Sequence, residues 1–279
     1  PINLRINLIW RWLRAFGRIT WVEDDFGVLI HYLPSEIQKY PIKVVSHHNN
    51  ANISNLLTRL VKPGMTMFDV GANFGIFCLL GSELMKGKGQ IIAFEPSSRA
   101  RQRLQMNLER SPHLTDRVSV VPQAVSNEIG TTLLYVYAPR FSGFSSMSSV
   151  THWDIRPTST EEVSMTTIDA YCEEHNITKI DVIKIDVEGY EVEVLQGAKN
   201  MIARGGINHI IFEISEKPLD ERPYSPNDVL SIFGEVGTNL SKILENGDLE
   251  PIPDPAKYDV PPFANYYVQA GSEFVETEG

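Results

Sequence analysis

The feature that most constrains the fold is an alternation of short apolar strand patterns with helical patterns along most of the chain. Strand patterns occupy residues 65–70, 90–95, 118–125, 131–137, 181–187, 207–214, 240–244 and 265–269, and helix patterns occupy residues 52–60, 76–85, 99–110, 169–175, 192–203 and 227–233. Strands that alternate with helices in this way form a largely parallel sheet covered by helices on both faces. The alternation therefore predicts an α/β fold.

Composition excludes several classes of protein. Apolar residues make up 42% of the 279 residues, which is enough for a substantial core and excludes a disordered chain. Cys78 and Cys172 have no CxxC partner, so we expect neither a disulfide scaffold nor a cysteine zinc site. The formal net charge of −10 argues against a partner such as long nucleic acid, whose sequence-independent binding requires a basic face.

The N-terminal residues 1–22 differ in charge from the rest of the chain. They contain four arginines and no acidic residue, so the remaining residues carry a net charge of −14. Apolar residues recur at four-residue spacing from Leu4 to Phe16, which predicts a basic amphipathic helix. Two roles stay open for this helix: packing on the main domain, and contact with a membrane surface or a partner. Because no run reaches the ~18 apolar residues of a membrane span, we expect a cytoplasmic protein, with membrane-peripheral contact through residues 1–22 as the alternative.

The strongest chemical signal is a glycine turn, Asp69–Gly75, which directly follows a predicted buried strand. Ligands of open α/β sheets bind beyond the carboxyl ends of the strands. Gly71 and Gly75 would allow a sharp turn there and a close approach of the ligand to the backbone. The next strand ends at Glu95, whose carboxylate can accept two hydrogen bonds from a ribose diol. Together these residues predict a nucleoside-containing cofactor.

The spacing of the glycines discriminates between such cofactors. Dinucleotide sites use G-x-G-x-x-G and place a pyrophosphate at a helix N-terminus, whereas this turn reads G-x-x-x-G and has Asp69 beside it. A carboxylate in that position disfavours a diphosphate and suits an ammonium group, such as that of the methionyl part of S-adenosylmethionine. Asp69 and Glu95 together therefore favour S-adenosylmethionine over NAD.

These motifs resemble those of the FkbM family of S-adenosylmethionine-dependent methyltransferases. The matching segments are Pro63-Gly64, Asp69–Gly75, Ala93–Pro96, Gln123–Ser126, Ile183–Glu191 and Val194–Ala198. The resemblance implies a Rossmann-like methyltransferase fold, with a seven-stranded, mostly parallel sheet whose last strand is antiparallel. The sequence pattern adds helices on both faces and an N-terminal helical and β extension. We accordingly divide the chain into an accessory segment, residues 1–62, and a methyltransferase domain, residues 63–279.

The resemblance also implies roles for individual residues. The glycine turn would hold the methionine part of the cofactor, Glu95 the ribose, and Gln123 with Ala124 the adenine. Asp186 would face the methyl sulfonium. The implied cofactor-binding residues are Asp69, Gly71, Ala72, Asn73, Phe74, Gly75, Glu95, Pro96, Gln123, Ala124 and Asp186.

Methyl transfer to oxygen requires alignment and commonly a base near the strand ends that removes the acceptor's proton. The candidate catalytic residues are Asp186, Glu188, Glu213 and Lys184, with His152 as an alternative base. A helix cap is the alternative role of Glu188, and a salt bridge that of Lys184. Clustered carboxylates could also hold a divalent ion, but the sequence leads us to assign no metal.

Two further segments are expected to lie at the protein surface, and the first of them also has a functional interpretation. The serine-rich residues 139–160 are expected to form a long loop, either a lid or acceptor-contacting segment or a plain solvent loop. The basic residues Arg99, Arg101, Arg103 and Arg110 are expected to lie on a solvated helix face.

The sequence thus predicts an O-methyltransferase acting on a hydroxyl of a small-molecule or sugar/glycan acceptor. Methylation of an amine or a nucleic-acid ribose is the first alternative. The second is a non-catalytic, cofactor-binding scaffold module.

Overall fold

The computed structural model describes residues 20–23, 29–32, 51–110, 116–137, 145–147, 156–215, 223–234 and 239–270. In chain order, the N-terminal elements are β1 (Thr20–Glu23), β2 (Leu29–Tyr32), α1 (Ala51–Leu60), β3 (Thr66–Val70), α2 (Ile76–Met85), β4 (Gln90–Phe94), α3 (Ser98–Glu109), β5 (Val118–Val121), β6 (Gln123–Val125) and β7 (Gly130–Val136). They are followed by β8 (Ser159–Thr166), α4 (Ile168–Glu174), β9 (Ile180–Ile185), α5 (Glu191–Gln196), α6 (Lys199–Ala203), β10 (Ile207–Ser215), α7 (Pro226–Gly234), β11 (Asn239–Ile243), β12 (Leu249–Pro251), a 3₁₀ turn (Pro255–Lys257) and β13 (Phe263–Gln269).

Eight of the described strands form the main sheet, in the order β12-β11-β13-β10-β9-β3-β4-β5. Strands β5, β4, β3, β9 and β10 are parallel. β13 runs antiparallel to both β10 and β11. The predicted α/β fold, with its last strand antiparallel, is confirmed, and the short strand β12 extends the expected seven strands at one edge.

A second, three-stranded sheet, β6-β8-β7, lies beside the main one. The single strand predicted over 118–125 is divided, because β5 ends at Val121 and Pro122, which has no N–H to donate, separates it from β6. β8 was not predicted, and the expected loop over 139–160 overlaps its first two residues. Val163 and Met165 of β8 are buried while Glu162 and Ser164 are exposed, an alternation that could have indicated a strand.

The helix predicted over 192–203 is also divided, into α5 and α6. Gly197 lies between them, and a Cβ on it would stand 2.1 Å from the carbonyl oxygen of Ser126. This close approach fixes the chain after α5 against the start of the second sheet.

The core lies on both faces of the main sheet, because alternate strand residues point in opposite directions. Phe68 and Ile183 belong to the apolar cluster on one face, and Met67 and Val182 to the cluster on the other. Helix α1 packs into the second cluster through residues such as Leu57, which is fully buried. α1 therefore packs on the sheet although the predicted boundary assigns it to the accessory segment, and the division at 62/63 stays a prediction.

Among the described residues, no helix is both long enough and apolar enough to cross a membrane. The predicted amphipathic helix over residues 4–16 lies outside the described residues. Cys78 and Cys172 are free and buried.

Candidate active site

The glycine turn joins β3 to α2 at the carboxyl edge of the sheet. Gly71 has φ +77°, and a Cβ on it would stand 1.9 Å from the carbonyl oxygen of Asp186. The N–H groups of Gly71 and Ala72 both donate to the carbonyl of Phe94, at 3.0 Å each. The turn is therefore held against the ends of the two strands that flank β3, and glycine is required at position 71.

Glu95 follows β4 and faces this turn. One carboxylate oxygen accepts the N–H of Asn73 at 2.7 Å, and the other accepts the N–H of Ser97 at 2.8 Å. Burial raises the pKa of Glu95 to about 7, although the two N–H donors act in the opposite direction. Each carboxylate oxygen still has a lone pair to spare, so Glu95 can accept two more hydrogen bonds from a diol.

A cavity of about 840 Å³, its open mouth included, extends along this edge of the sheet. Its walls include Gly71, Ala72, Asn73, Phe74, Gly75, Glu95, Pro96, Gln123, Ala124, Lys184 and Asp186, together with apolar residues such as Leu134 and Met147. Glu95 stands at the centre of the glycine turn, and the backbone comes close to the cavity because position 71 has no side chain. These features fit a nucleoside with an amino-acid substituent.

Helix α3 supports the turn from outside, and sequence reasoning missed this role. The guanidinium of Arg103 lies 4.4 Å from the centre of the Phe74 ring, and the Asn107 amide donates to the Phe74 carbonyl at 2.6 Å. Arg101 donates to the carbonyls of Glu95 and Pro96. The expectation of a solvated basic face is therefore wrong for Arg103, which is buried because α3 turns it toward Phe74.

Lys184 of β9 is a buried cation in the wall of the cavity. Its ammonium lies 3.5 Å from an oxygen of Asp69 and 3.2 Å from an oxygen of Asp186, and it donates to the carbonyl of Gly71 at 3.1 Å. Burial alone lowers the pKa of Lys184, but the adjacent Asp186 and Asp69 reverse this effect and raise it. Lys184 therefore stays charged, which suits the salt-bridge role and not that of a base.

Asp69 is fully buried next to Lys184, and it does not line the cavity. Its second carboxylate oxygen accepts from the Cys78 thiol at 3.1 Å. The structure thus places Asp69 behind the turn, where it neutralises Lys184. Direct contact with a ligand's ammonium group stays a prediction.

Three carboxylates converge beyond the ends of β9 and β10. One oxygen each of Asp186, Glu188 and Glu213 lie within 4.8 Å of one another. Burial, followed by the charge of Asp186, raises the pKa values of Glu188 and Glu213 well above their usual range. Asp186 reaches the cavity, whereas Glu188 and Glu213 lie behind it. We call these three residues the carboxylate cluster. The sequence analysis named each of them as a candidate catalytic residue.

The backbone after Asp186 makes the cluster possible. Glu188 has φ +56° and Gly189 has φ +101°, so the chain makes a tight left-handed turn. The Glu191 carboxylate accepts the N–H groups of Val187 and Gly189 and closes this turn. Glu191 thus closes the turn before helix α5, and the helix-cap role considered for Glu188 stays a prediction.

A short piece of the predicted loop covers the cavity. The Ser146 hydroxyl lies 3.2 Å from the carbonyl of Val187 and 2.8 Å from that of Glu188. The Tyr190 hydroxyl donates to the carbonyl of Met147 at 3.3 Å. Residues 145–147 therefore rest on the turn that carries the carboxylate cluster. His152, the alternative base, lies outside the described residues.

Comparisons with known proteins find sequences similar to this one. The family model described as "Methyltransferase FkbM domain" matches residues 69–240. The hexuronic acid methyltransferase AglP of Haloferax volcanii is 26% identical over 201 residues, which cover 71% of this chain and 74% of that protein.

Solved structures with similar folds include methyltransferases from two bacteria. Methyltransferase FkbM from Methylobacillus flagellatus KT aligns with a TM-score of 0.48 and 17% identity, over 84% of this chain and 53% of that chain. This chain therefore spans about half the length of the Methylobacillus protein. A SAM-dependent methyltransferase from Aquifex aeolicus aligns with a TM-score of 0.45 and 15% identity, over 86% of this chain and 99% of that chain.

Proposed function

Because this chain belongs to the FkbM family of S-adenosylmethionine-dependent methyltransferases, as the sequence motifs predicted, we propose that it methylates a hydroxyl group of a sugar or glycan acceptor. The observation that carries this proposal is the position of Asp186. Asp186 lines the cavity at the end of β9 and its side chain is 25% exposed, while one oxygen each of Glu188 and Glu213 lies within 4.8 Å of one of its oxygens. An oxygen acceptor requires such a group, because a hydroxyl must lose its proton during transfer.

We assign the cofactor to the cavity along the glycine turn. Glu95 would accept hydrogen bonds from the ribose hydroxyls, Gln123 and Ala124 would border the adenine, and the turn from Gly71 to Gly75 would hold the methionine part. Bound in this way, S-adenosylmethionine supplies an electrophilic methyl group on a positively charged sulfur.

The protein's own contribution is alignment and proton transfer. One oxygen of Asp186 pairs with Lys184 at 3.2 Å, which fixes the side chain in place. The other oxygen is then available to accept the acceptor's hydroxyl proton. Glu213 stands next to it, and its raised pKa makes it a stronger proton acceptor than an ordinary carboxylate. The proton would thus pass from the hydroxyl to Asp186 and on into the carboxylate cluster.

The charge of the site also supports a hydroxyl acceptor. Hydroxyl groups donate well to carboxylates such as those of the cluster. AglP, a hexuronic acid methyltransferase, acts on a sugar, which is why we favour sugar over lipophilic acceptors.

The experiment is an acceptor panel with purified full chain and S-adenosylmethionine. Glucose and a neutral disaccharide test the proposal, glucosamine and a short RNA test the amine and ribose alternatives, and glucuronic acid tests an anionic sugar. Formation of S-adenosylhomocysteine is measured, and the methylated atom is identified by NMR. We expect O-methylation of a sugar hydroxyl; transfer to nitrogen or to RNA would contradict the proposal.

Two variants separate catalysis from cofactor binding. Asp186→Asn should reduce kcat by about 10²-fold or more, the usual contribution of a positioned base, with the affinity for S-adenosylhomocysteine changed by less than threefold. The matched control is Asp259→Asn, an exposed aspartate far along the chain, which should have wild-type activity. Cofactor binding without turnover on any acceptor would instead favour the scaffold alternative.

A further inference from the structure

The carboxylate cluster adjoins two buried polar atoms without a hydrogen-bond partner among the described residues, the Asn265 Oδ1 and the Ser215 Oγ. Asn265 of β13 lies directly opposite Glu213 of β10 in the antiparallel pair, so both side chains stand on the same face of the sheet. Ser215 lies two residues after Glu213 on that face. Asn265 is 4% exposed and Ser215 2% exposed, and neither the Asn265 Oδ1 nor the Ser215 Oγ has a partner within the described part of the chain.

Unpartnered polar atoms at this depth are unusual, because an unsatisfied buried amide loses its bonds to water without replacement. The unpartnered atom of Asn265 is its Oδ1, an acceptor, and the neighbouring side chain across the strands is the Glu213 carboxylate, which also accepts. Two neighbouring acceptors of this kind require a hydrogen-bond donor or a cation as their common partner.

The charges of the cluster point in the same direction. Lys184 is the cation next to it, and Lys184 is shared with the fully buried Asp69. Lys184 pairs with Asp186 as well, at 3.2 Å, so one described ammonium stands against four carboxylates, those of Asp69, Asp186, Glu188 and Glu213. Three carboxylate oxygens within 4.8 Å of one another match the spacing of ligands around a hard cation, whose bonds to oxygen are about 2.0–2.6 Å long.

We propose that Asp186, Glu188 and Glu213, with the amide oxygen of Asn265 behind them, bind one hard divalent cation, Mg²⁺ or Ca²⁺. The donor set contains oxygen alone, which suits these ions and disfavours soft metals such as Zn²⁺. Asp186 also lines the cavity, so the cation would stand at the end where the acceptor enters. There it would bind the acceptor's oxygen and lower the pKa of the hydroxyl, a role that rests on the proposed function.

The test measures metal binding directly, with neither methyl donor nor acceptor present. Full-length protein is stripped with chelator and titrated with Mg²⁺, Ca²⁺ and Zn²⁺ by calorimetry, and with Mn²⁺ by EPR as a spectroscopic probe of oxygen sites. We expect one Mg²⁺ or Ca²⁺ per chain, with a Kd below about 1 mM, the weak limit of oxygen-ligand sites. Failure of this binding would leave the proposed O-methylation standing, so the two proposals fail separately.

Variants locate the site. Glu213→Gln and Glu188→Gln should each weaken binding at least tenfold, and Asn265→Ala should weaken it severalfold. Glu174→Gln, which removes an exposed glutamate from helix α4, is the matched control and should bind as wild type. Circular dichroism establishes that each variant is folded, and Asn265→Ala still tests the site if an acidic variant does not fold.

Two results would overturn the proposal. One is the absence of Mg²⁺, Ca²⁺ and Mn²⁺ binding up to several millimolar. The other is binding that is unchanged in both Glu188→Gln and Glu213→Gln, since the ion would then lie elsewhere.

Discussion

Replacement of Lys184 by methionine removes the one cation that the structure places against fully buried Asp69. Met preserves most of the volume of the lysine stem and leaves the Asp69 carboxylate with the Cys78 thiol as its remaining partner. Asp186, whose side chain is 25% exposed, can return to water, whereas Asp69 cannot. The loss of stability should therefore come mainly from Asp69.

The expected magnitude follows from this burial. Removal of one partner from a buried ion pair destabilises a protein by about 3–5 kcal/mol, because an uncompensated charge stays inside. A domain has a total free energy of unfolding of about 5–15 kcal/mol. Lys184→Met should therefore remove a large share of the stability of the domain. The double variant Lys184→Met with Asp69→Asn carries no buried charge at this point, and we expect it to recover about 2 kcal/mol or more through the coupling of the pair.

Urea denaturation followed by circular dichroism measures these differences. The matched control is Lys179→Met, whose ammonium lies 3.1 Å from Asp181 but is 58% exposed; an exposed pair contributes about 0–1 kcal/mol. The reasoning is refuted if Lys184→Met loses less than 1 kcal/mol, or if the double variant is no more stable than the single one.

Three further outcomes follow from the site. The pKa of Glu95 is about 7, and ribose hydroxyls donate to its charged form. The affinity for S-adenosylhomocysteine should therefore fall about tenfold from pH 8 to pH 6. Calorimetry at both pH values measures this change, and Glu95→Gln should bind more weakly without the pH dependence. The same raised pKa makes the contribution of Glu95 to stability fall as pH rises from 4.5 to 7. Gly71→Ala should abolish cofactor binding because its Cβ would meet the Asp186 carbonyl. The control is Gly205→Ala, at a position with φ +69° and open space around it, which should lose about 1–2 kcal/mol of stability and bind the cofactor normally. Equal cofactor binding by the two variants would contradict the predicted steric clash at position 71. Ser146→Ala should raise the KM of the acceptor and leave the cofactor affinity unchanged, and a shift in cofactor affinity alone would contradict its covering role.

The order of strands and helices could be predicted from the sequence because each carries a local pattern. The strand over 65–70 and the helix over 76–85 have boundaries that agree with the structure to within one residue. The three-stranded sheet could not be predicted in full, since its pairing joins β6 to β8 across a long stretch of chain. The turn at Gly71 and the strand end at Glu95 could likewise be predicted, because a glycine and a carboxylate directly after buried strands indicate a ligand site.

The burial of individual charged side chains could not be predicted from the sequence. Asp69 is fully buried beside Lys184, because β3 is a central strand that pairs with β9; its contact with the ligand stays a prediction. Arg103 was expected in solvent, but the period of α3 turns it inward onto Phe74. Burial depends on which element covers which, and that information lies in the tertiary packing and not in the local pattern.

The contact between Gly71 and the carbonyl of Asp186 has a consequence for the evolution of acceptor specificity. There is no room for even a methyl group between them, so the turn that we propose holds the methyl donor touches the strand end that carries the proposed base. A substitution that displaces one of them is expected to displace the other. The segment around Ser146 is joined to this strand end through hydrogen bonds to the carbonyls of Val187 and Glu188, and it is therefore where we expect changes of acceptor to leave the donor site least disturbed.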